Sequence, residues 1–132
     1  MKAFLLLLVA CLIGLVGCGQ PMPKPLYELP NADADRGRQA MAEYGCAACH
    51  TIPGVTNADA TVGPSLAGWA KRGSIAGHFP NTPENLVAWI QNPQQMSPGS
   101  IMPNVGVPAE TARDMSVYLY TLQRNPSHFP WW

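Results

Sequence analysis

One short segment, Cys46-Ala47-Ala48-Cys49-His50, constrains this chain more than any other feature. Cys-x-x-Cys-His is the attachment signature of c-type haem. Two thiols add across the two vinyl groups of one porphyrin, and the next residue places an imidazole under the iron. Three other uses of the segment compete. A redox-active thiol pair needs a βαβ context, and none surrounds it. A structural zinc site needs two more ligands, and His78 and His128 are scattered, without paired spacing. A disulfide across two intervening residues closes a tiny loop for little gain. Haem is the reading that uses all three side chains.

The remaining composition narrows the class. A length of 132 residues is room for one domain. The 8 basic and 8 acidic side chains cancel, which removes nucleic-acid binders that track phosphates. Only 12% of residues are charged and 47% are hydrophobic, which argues against disorder. The apolar residues are concentrated at the start. Lys2 followed by an apolar run to Gly17 reads as a secretory signal, residues 1–17. The run is too short to span a bilayer comfortably.

It ends in Leu15-Val16-Gly17-Cys18, which resembles the bacterial lipobox, so Cys18 is the expected lipidated N-terminus. A similar stretch ending at Cys11 leaves a very short apolar region. The plain alternative, a secreted protein with a free Cys18, leaves an exposed thiol in an oxidising compartment. Residues 18–30 then hold the lipid and a spacer with Pro21, Pro23, Pro25 and Pro30. Such a stretch either extends stiffly away from a membrane or packs along the domain through Leu26, Tyr27 and Leu29.

Periodicity and caps predict three main helices, joined by long Gly/Pro-rich loops, in an all-α fold. The first runs from about Asp33 to Tyr44, capped by Asn31 or Asp33, with Gly37, Met41 and Tyr44 on one face and Gly45 as its stop. The second runs from Pro83 to about Asn92, capped by Thr82 and stopped by Pro93, with Leu86, Trp89 and Ile90 as its stripe. The third runs from Pro108 to about Arg124, with Ala112, Met115, Tyr118, Leu119 and Leu122 on one face. No stretch shows strand alternation. Gly37 inside a helix marks a close backbone approach, with the last helix, through Tyr118, as the expected partner. A core this small is thin without a disulfide, and a haem tied to the first helix fills it.

The order of these elements carries a resemblance over Asn31 to Gln123. Helix, Cys-x-x-Cys-His, Gly63-Pro64-Ser65-Leu66, Trp-bearing helix, Met102-Pro103 and final helix resembles class I cytochrome c. The stretch Pro80 to Leu86, then Trp89-Ile90, Pro98-Gly99 and Met102-Pro103 is similar to the cytochrome c domain fused to subunit II of some bacterial haem–copper oxidases. The resemblance implies a cytochrome c domain over 31–124 around one covalent haem c, with an aromatic tail over 125–132. It implies that His50 binds iron, that the Pro64 carbonyl orients its imidazole, and that Met102 is the second axial ligand. Met96 is the chief rival; Met41 and Met115 read as core, and His78 and His128 as surface. Trp89 corresponds to a family tryptophan that donates to a haem propionate, and Arg72, or Lys71, to its basic partner. Trp69 either lines the haem edge or packs the loop. The tail, ending Phe129-Pro130-Trp131-Trp132, either folds back or meets a partner or the membrane interface.

The function implied is electron carriage, not enzymatic catalysis of a small-molecule substrate. A lipid-anchored carrier takes electrons from a quinol-oxidising complex and gives them to a terminal oxidase, on the periplasmic or outer face of a bacterial membrane. Gly19 is not the Asp that retains many lipoproteins in the inner membrane, which points outward where the cell has an outer membrane. The alternatives are a fixed haem subunit of a membrane complex, and a haem enzyme or gas sensor with an open sixth site.

Overall fold

The computed structural model describes residues 22–123. The proposed signal, Cys18 and the aromatic tail with His128 lie outside the described residues. Helix α1 (Ala34–Glu43) begins where a side chain can satisfy its first free amides: Asp33 accepts the Arg36 N–H at 2.8 Å. Helix α2 (Pro83–Gln91) begins in the same way, with Thr82 Oγ1 accepting the Asn85 N–H at 3.3 Å and Pro83 in the first turn. Pro93, expected only as a stop, also opens a further one-turn helix, α3 (Pro93–Met96). A proline that cannot continue one helix suits the first position of the next. Helix α4 (Ala109–Thr121) follows a long loop.

One departure from the sequence expectation is small. Residues Ser74–Ile75 (β1) and Phe79–Pro80 (β2) form an antiparallel hairpin, in register Ser74 to Pro80 and Ile75 to Phe79. Strands of two residues are too short for alternation to show. Asn81 fastens this hairpin to the preceding 3-10 turn, Trp69–Lys71. Its Nδ2 donates to Trp69 O at 3.2 Å and Arg72 O at 3.0 Å, while its Oδ1 accepts Tyr120 Oη–H at 3.0 Å.

Another departure concerns Gly37. A Cβ there would fall 2.0 Å from the Asp114 carbonyl oxygen and 2.8 Å from Met115 N. So α1 and α4 cross backbone to backbone at Gly37, but against Asp114 and Met115, one turn before the expected Tyr118. A tyrosine ring holds backbones apart; Tyr118 instead reaches sideways, its hydroxyl donating to Pro53 O. Asp114 then locks the crossing. Its Oδ2 accepts Arg36 Nε–H at 2.8 Å, and its Oδ1 accepts Arg36 Nη2–H at 2.9 Å and the Asp33 N–H at 2.7 Å. This two-pronged pairing raises the Arg36 pKa.

Helix α4 is buried almost all round from Asp114 to Thr121 rather than on one stripe. Ala112, Met115, Tyr118 and Leu119 face the core as expected, but the outer face is covered as well. Residues 22–30 do the covering, which decides between the two uses of this described part of the spacer. The Leu26 N–H donates to Tyr120 O at 3.0 Å, and Gln123 Nε2–H to Lys24 O at 2.7 Å. The Tyr27 ring meets Tyr120 edge-on at 4.8 Å. Among the described residues, no helix is long and apolar enough to cross a membrane.

Two predictions follow from α4. Gly37→Ala forces the crossing helices apart and costs about 3 kcal/mol, a fall of roughly 15 °C in Tm for a domain of this size. Tyr120 carries a pH signature. Burial raises its folded pKa above the ordinary 10.0, so its contribution is complete below that pH and is lost as pH rises further. Tyr120→Phe removes one hydrogen bond, about 1 kcal/mol, and lowers Tm at neutral pH. In melts run from neutral to strongly alkaline pH, its deficit against the wild type narrows above pH 10.

Candidate cofactor site

Helix α1 ends at Glu43, and past Tyr44 and Gly45 the chain enters a 3-10 turn, Cys46–Ala48. The N–H groups of Cys49 and His50 both donate to Cys46 O, at 3.2 and 3.0 Å. One turn therefore presents both thiols and the imidazole together. Both cysteines are free and half-buried. Burial pushes the Cys46 thiol up from its ordinary value.

The next loop fixes the imidazole. His50 Nδ1 lies 2.7 Å from Pro64 O. A carbonyl only accepts, so the proton is on Nδ1 and the lone pair is left on Nε2. The Gly63 N–H donates to Cys49 O at 2.7 Å, drawing the loop against the ring. A Cβ on Gly63 would sit 2.4 Å from His50 Cε1 and 2.7 Å from Nδ1. Backbone and ring touch, and only glycine leaves room.

Cys46, Cys49, His50, Pro64, Arg72, Trp89 and Met102 all line one cavity of about 980 Å³. Its floor is apolar, built from Met41, Leu66, Leu86, Ile90, Met115 and Leu119. Met102 is half-buried in its wall, and Ser100 Oγ accepts the Met102 N–H at 3.2 Å. Met96, on α3, does not line it. Of the basic pair, Arg72 lines the cavity and Lys71 does not. The Arg72 guanidinium stacks 5.0 Å over the Trp69 ring and donates to Ser65 O, and partial burial lowers its pKa. Trp89 is half-buried, with its ring 6.2 Å from Phe79. Trp69, left open by the sequence, is 5% exposed and also lines the cavity. His78 is exposed at the cavity mouth.

This site fits a covalent haem. The thiols that would carry the thioether links are free and adjacent. The imidazole is held in the tautomer that offers Nε2 to a metal, by an outer partner of the usual kind. A thioether, a soft ligand suited to haem iron, stands in the same cavity. The walls are apolar, with a cationic group at one place.

Fold and site together define a c-type haem protein of electron transfer. The family model for cytochrome c matches residues 34–123, and the chain belongs to that family. Its cofactor is accordingly haem c, covalently bound. Among related proteins, cytochrome c oxidase subunit 2 of Alkalihalophilus pseudofirmus is 36% identical over 90 residues, 68% of this chain and 25% of that one. The Bacillus subtilis subunit 2 is 32% identical over 71 residues, 52% of this chain and 20% of that one. Cytochrome c of Tetrahymena pyriformis is 30% identical over 108 residues, 73% of this chain and 94% of that one. The chain thus spans about a quarter and a fifth of the two oxidase subunits.

The cradle makes a prediction. Gly63→Ala pushes the His50 ring off the Pro64 carbonyl, with an overpacking cost of about 1–3 kcal/mol. Haem-stained gels of the protein are expected to show reduced haem attachment, and spectra of the remainder a disturbed ferric ligand set. Ser65→Ala, on the same loop, leaves both unchanged.

Proposed function

We propose that this protein is a membrane-anchored mono-haem electron carrier with His50 and Met102 as axial ligands. The observation that carries the reading is the convergence, in one cavity, of the Nδ1-tethered imidazole, the two free thiols and the Met102 thioether. Bound haem supplies an iron that exchanges one electron at a time. Cys46 and Cys49 hold it covalently, Pro64 keeps His50 aimed, and Arg72 and Trp89 meet its carboxylates. With Met102 as sixth ligand, no coordination position is open to a substrate or gas. That closure favours carriage over catalysis.

The cavity rim supports exchange with protein partners. Val62 and Ile101, 69% and 85% exposed, stand at its mouth with Val105. Neither 60–70 nor 97–109 carries a charged side chain. The signal-like start and the lipobox-like Leu15 to Cys18 support export and lipid attachment at Cys18, placing the carrier at a bacterial membrane facing the periplasm or cell exterior. An anchor raises its concentration near membrane partners. Those partners are a quinol-oxidising complex as donor and a terminal oxidase as acceptor. The names of the two related oxidase subunits favour a second reading, a haem domain fixed in a larger redox complex.

The ferric wild type is expected to show the iron–thioether charge-transfer band at the red end of the visible spectrum, and the ferrous form to bind carbon monoxide slowly. Met102→Ala abolishes the band and speeds carbon monoxide binding at least tenfold, while Met96→Ala keeps wild-type behaviour. A wild type without the band and with rapid binding contradicts the carrier reading.

A further inference from the structure

The large apolar side chains left exposed among the described residues fall into two groups. Val62, Ile101 and Val105 stand at the cavity mouth. Leu26 and Tyr27, 55% and 44% exposed, stand on the proline-rich segment that lies along α4, and neither lines the cavity. Apolar surface at the mouth serves exchange with partners. The second group has no part in that exchange.

The segment holds these two side chains in place. Met22 already packs against the core. Lys24 O accepts from Gln123, the Leu26 N–H donates to Tyr120 O, and the Tyr27 ring rests edge-on against Tyr120. Lys24 Nζ and the Glu28 carboxylate pair at 3.2 Å, so the two charges of residues 22–30 offset each other. The outward face is therefore neutral and carries a leucine and a tyrosine. Tyrosine is favoured where water meets lipid, and a fixed apolar patch on a protein surface marks a contact.

The covalent reach toward a membrane is short. The chain is fixed from Met22 onward, so only residues 19–21 separate the domain from Cys18. Four residue steps span at most about 14 Å. A domain of this size has a radius of gyration of about 13 Å, so a tether of that length cannot let it turn every wall to a bilayer. The wall at Met22 is the one within reach. It is not the wall with the mouth. Met22 and Pro23 line a separate groove of about 430 Å³ with Pro53, Tyr118 and Leu122, and that groove shares no lining residue with the cofactor cavity.

We infer that Leu26 and Tyr27 form a lipid-contact face that seats the domain in the headgroup layer of the membrane, leaving the cofactor mouth on a different wall, open to protein partners. The inference rests on the reading that Cys18 carries lipid. It replaces a long arm with a short, oriented mount. A carrier so held offers its mouth to membrane partners in a restricted set of orientations instead of tumbling on a leash.

The test is radiolytic hydroxyl-radical footprinting of the haem-loaded protein, read by mass spectrometry. The lipidated protein in phosphatidylcholine vesicles is compared with a Cys18→Ser form that carries no lipid. Leu26 and Tyr27 are expected to oxidise at least threefold more slowly in the vesicle-bound protein, while Val62 and Ile101 oxidise alike in both. Equal oxidation of Leu26 and Tyr27 in the two forms overturns the inference and leaves the anchor reading intact. Equal protection in both forms, which a covering by residues 124–132 would give, overturns it as well. Vesicle protection of Val62 and Ile101 instead of Leu26 and Tyr27 puts lipid on the wrong wall and also refutes it. An intact mass without lipid on Cys18 overturns both the inference and the anchor reading.

Discussion

The grip of the Gly63-Pro64 loop on His50 is the contact from which the rest of this structure follows. A histidine after two cysteines is only a flexible ring until something fixes its proton and its plane. Here the Pro64 carbonyl fixes the proton on Nδ1, and Gly63 closes on the ring face. That loop is held in turn by the Gly63 N–H on Cys49 O, so motif and clamp are one unit. The remaining elements are arranged around the space that the imidazole faces.

That space governs the energetics. A cavity of about 980 Å³ runs through the middle of a domain of barely a hundred residues. Helices α1, α2 and α4 each turn side chains to it as well as to one another. The polypeptide closes on itself backbone to backbone where α1 crosses α4 at Gly37 and Asp114 takes three hydrogen bonds. Net stabilities of small domains are about 5–15 kcal/mol, too little to support unfilled apolar walls of this extent. Haem is therefore part of the hydrophobic core, and the covalent links make that part permanent.

Much of this was legible in the sequence, for a physical reason. Covalent attachment demands two thiols and an imidazole at fixed spacing, and that demand survives any change in the surrounding residues. The caps Asp33 and Thr82 were legible because free helix amides need an acceptor at one position. Gly37 announced a close approach. Its partner did not announce itself, because an amphipathic pattern names a face and not the turn where two backbones meet. Asp114 was the available signal: an acid in the middle of an otherwise core-facing helix needs buried donors. The packing of residues 22–30 had no periodic signature, since a proline-rich segment bonds through its backbone.

The central claim is that one haem is covalently held by the turn after α1. Mass spectrometry of the protein made in cells that attach haem c, denatured and then digested, tests it directly. The account predicts one haem per chain, carried on the peptide that contains both Cys46 and Cys49. A folded protein from such cells whose two thiols remain unmodified contradicts it.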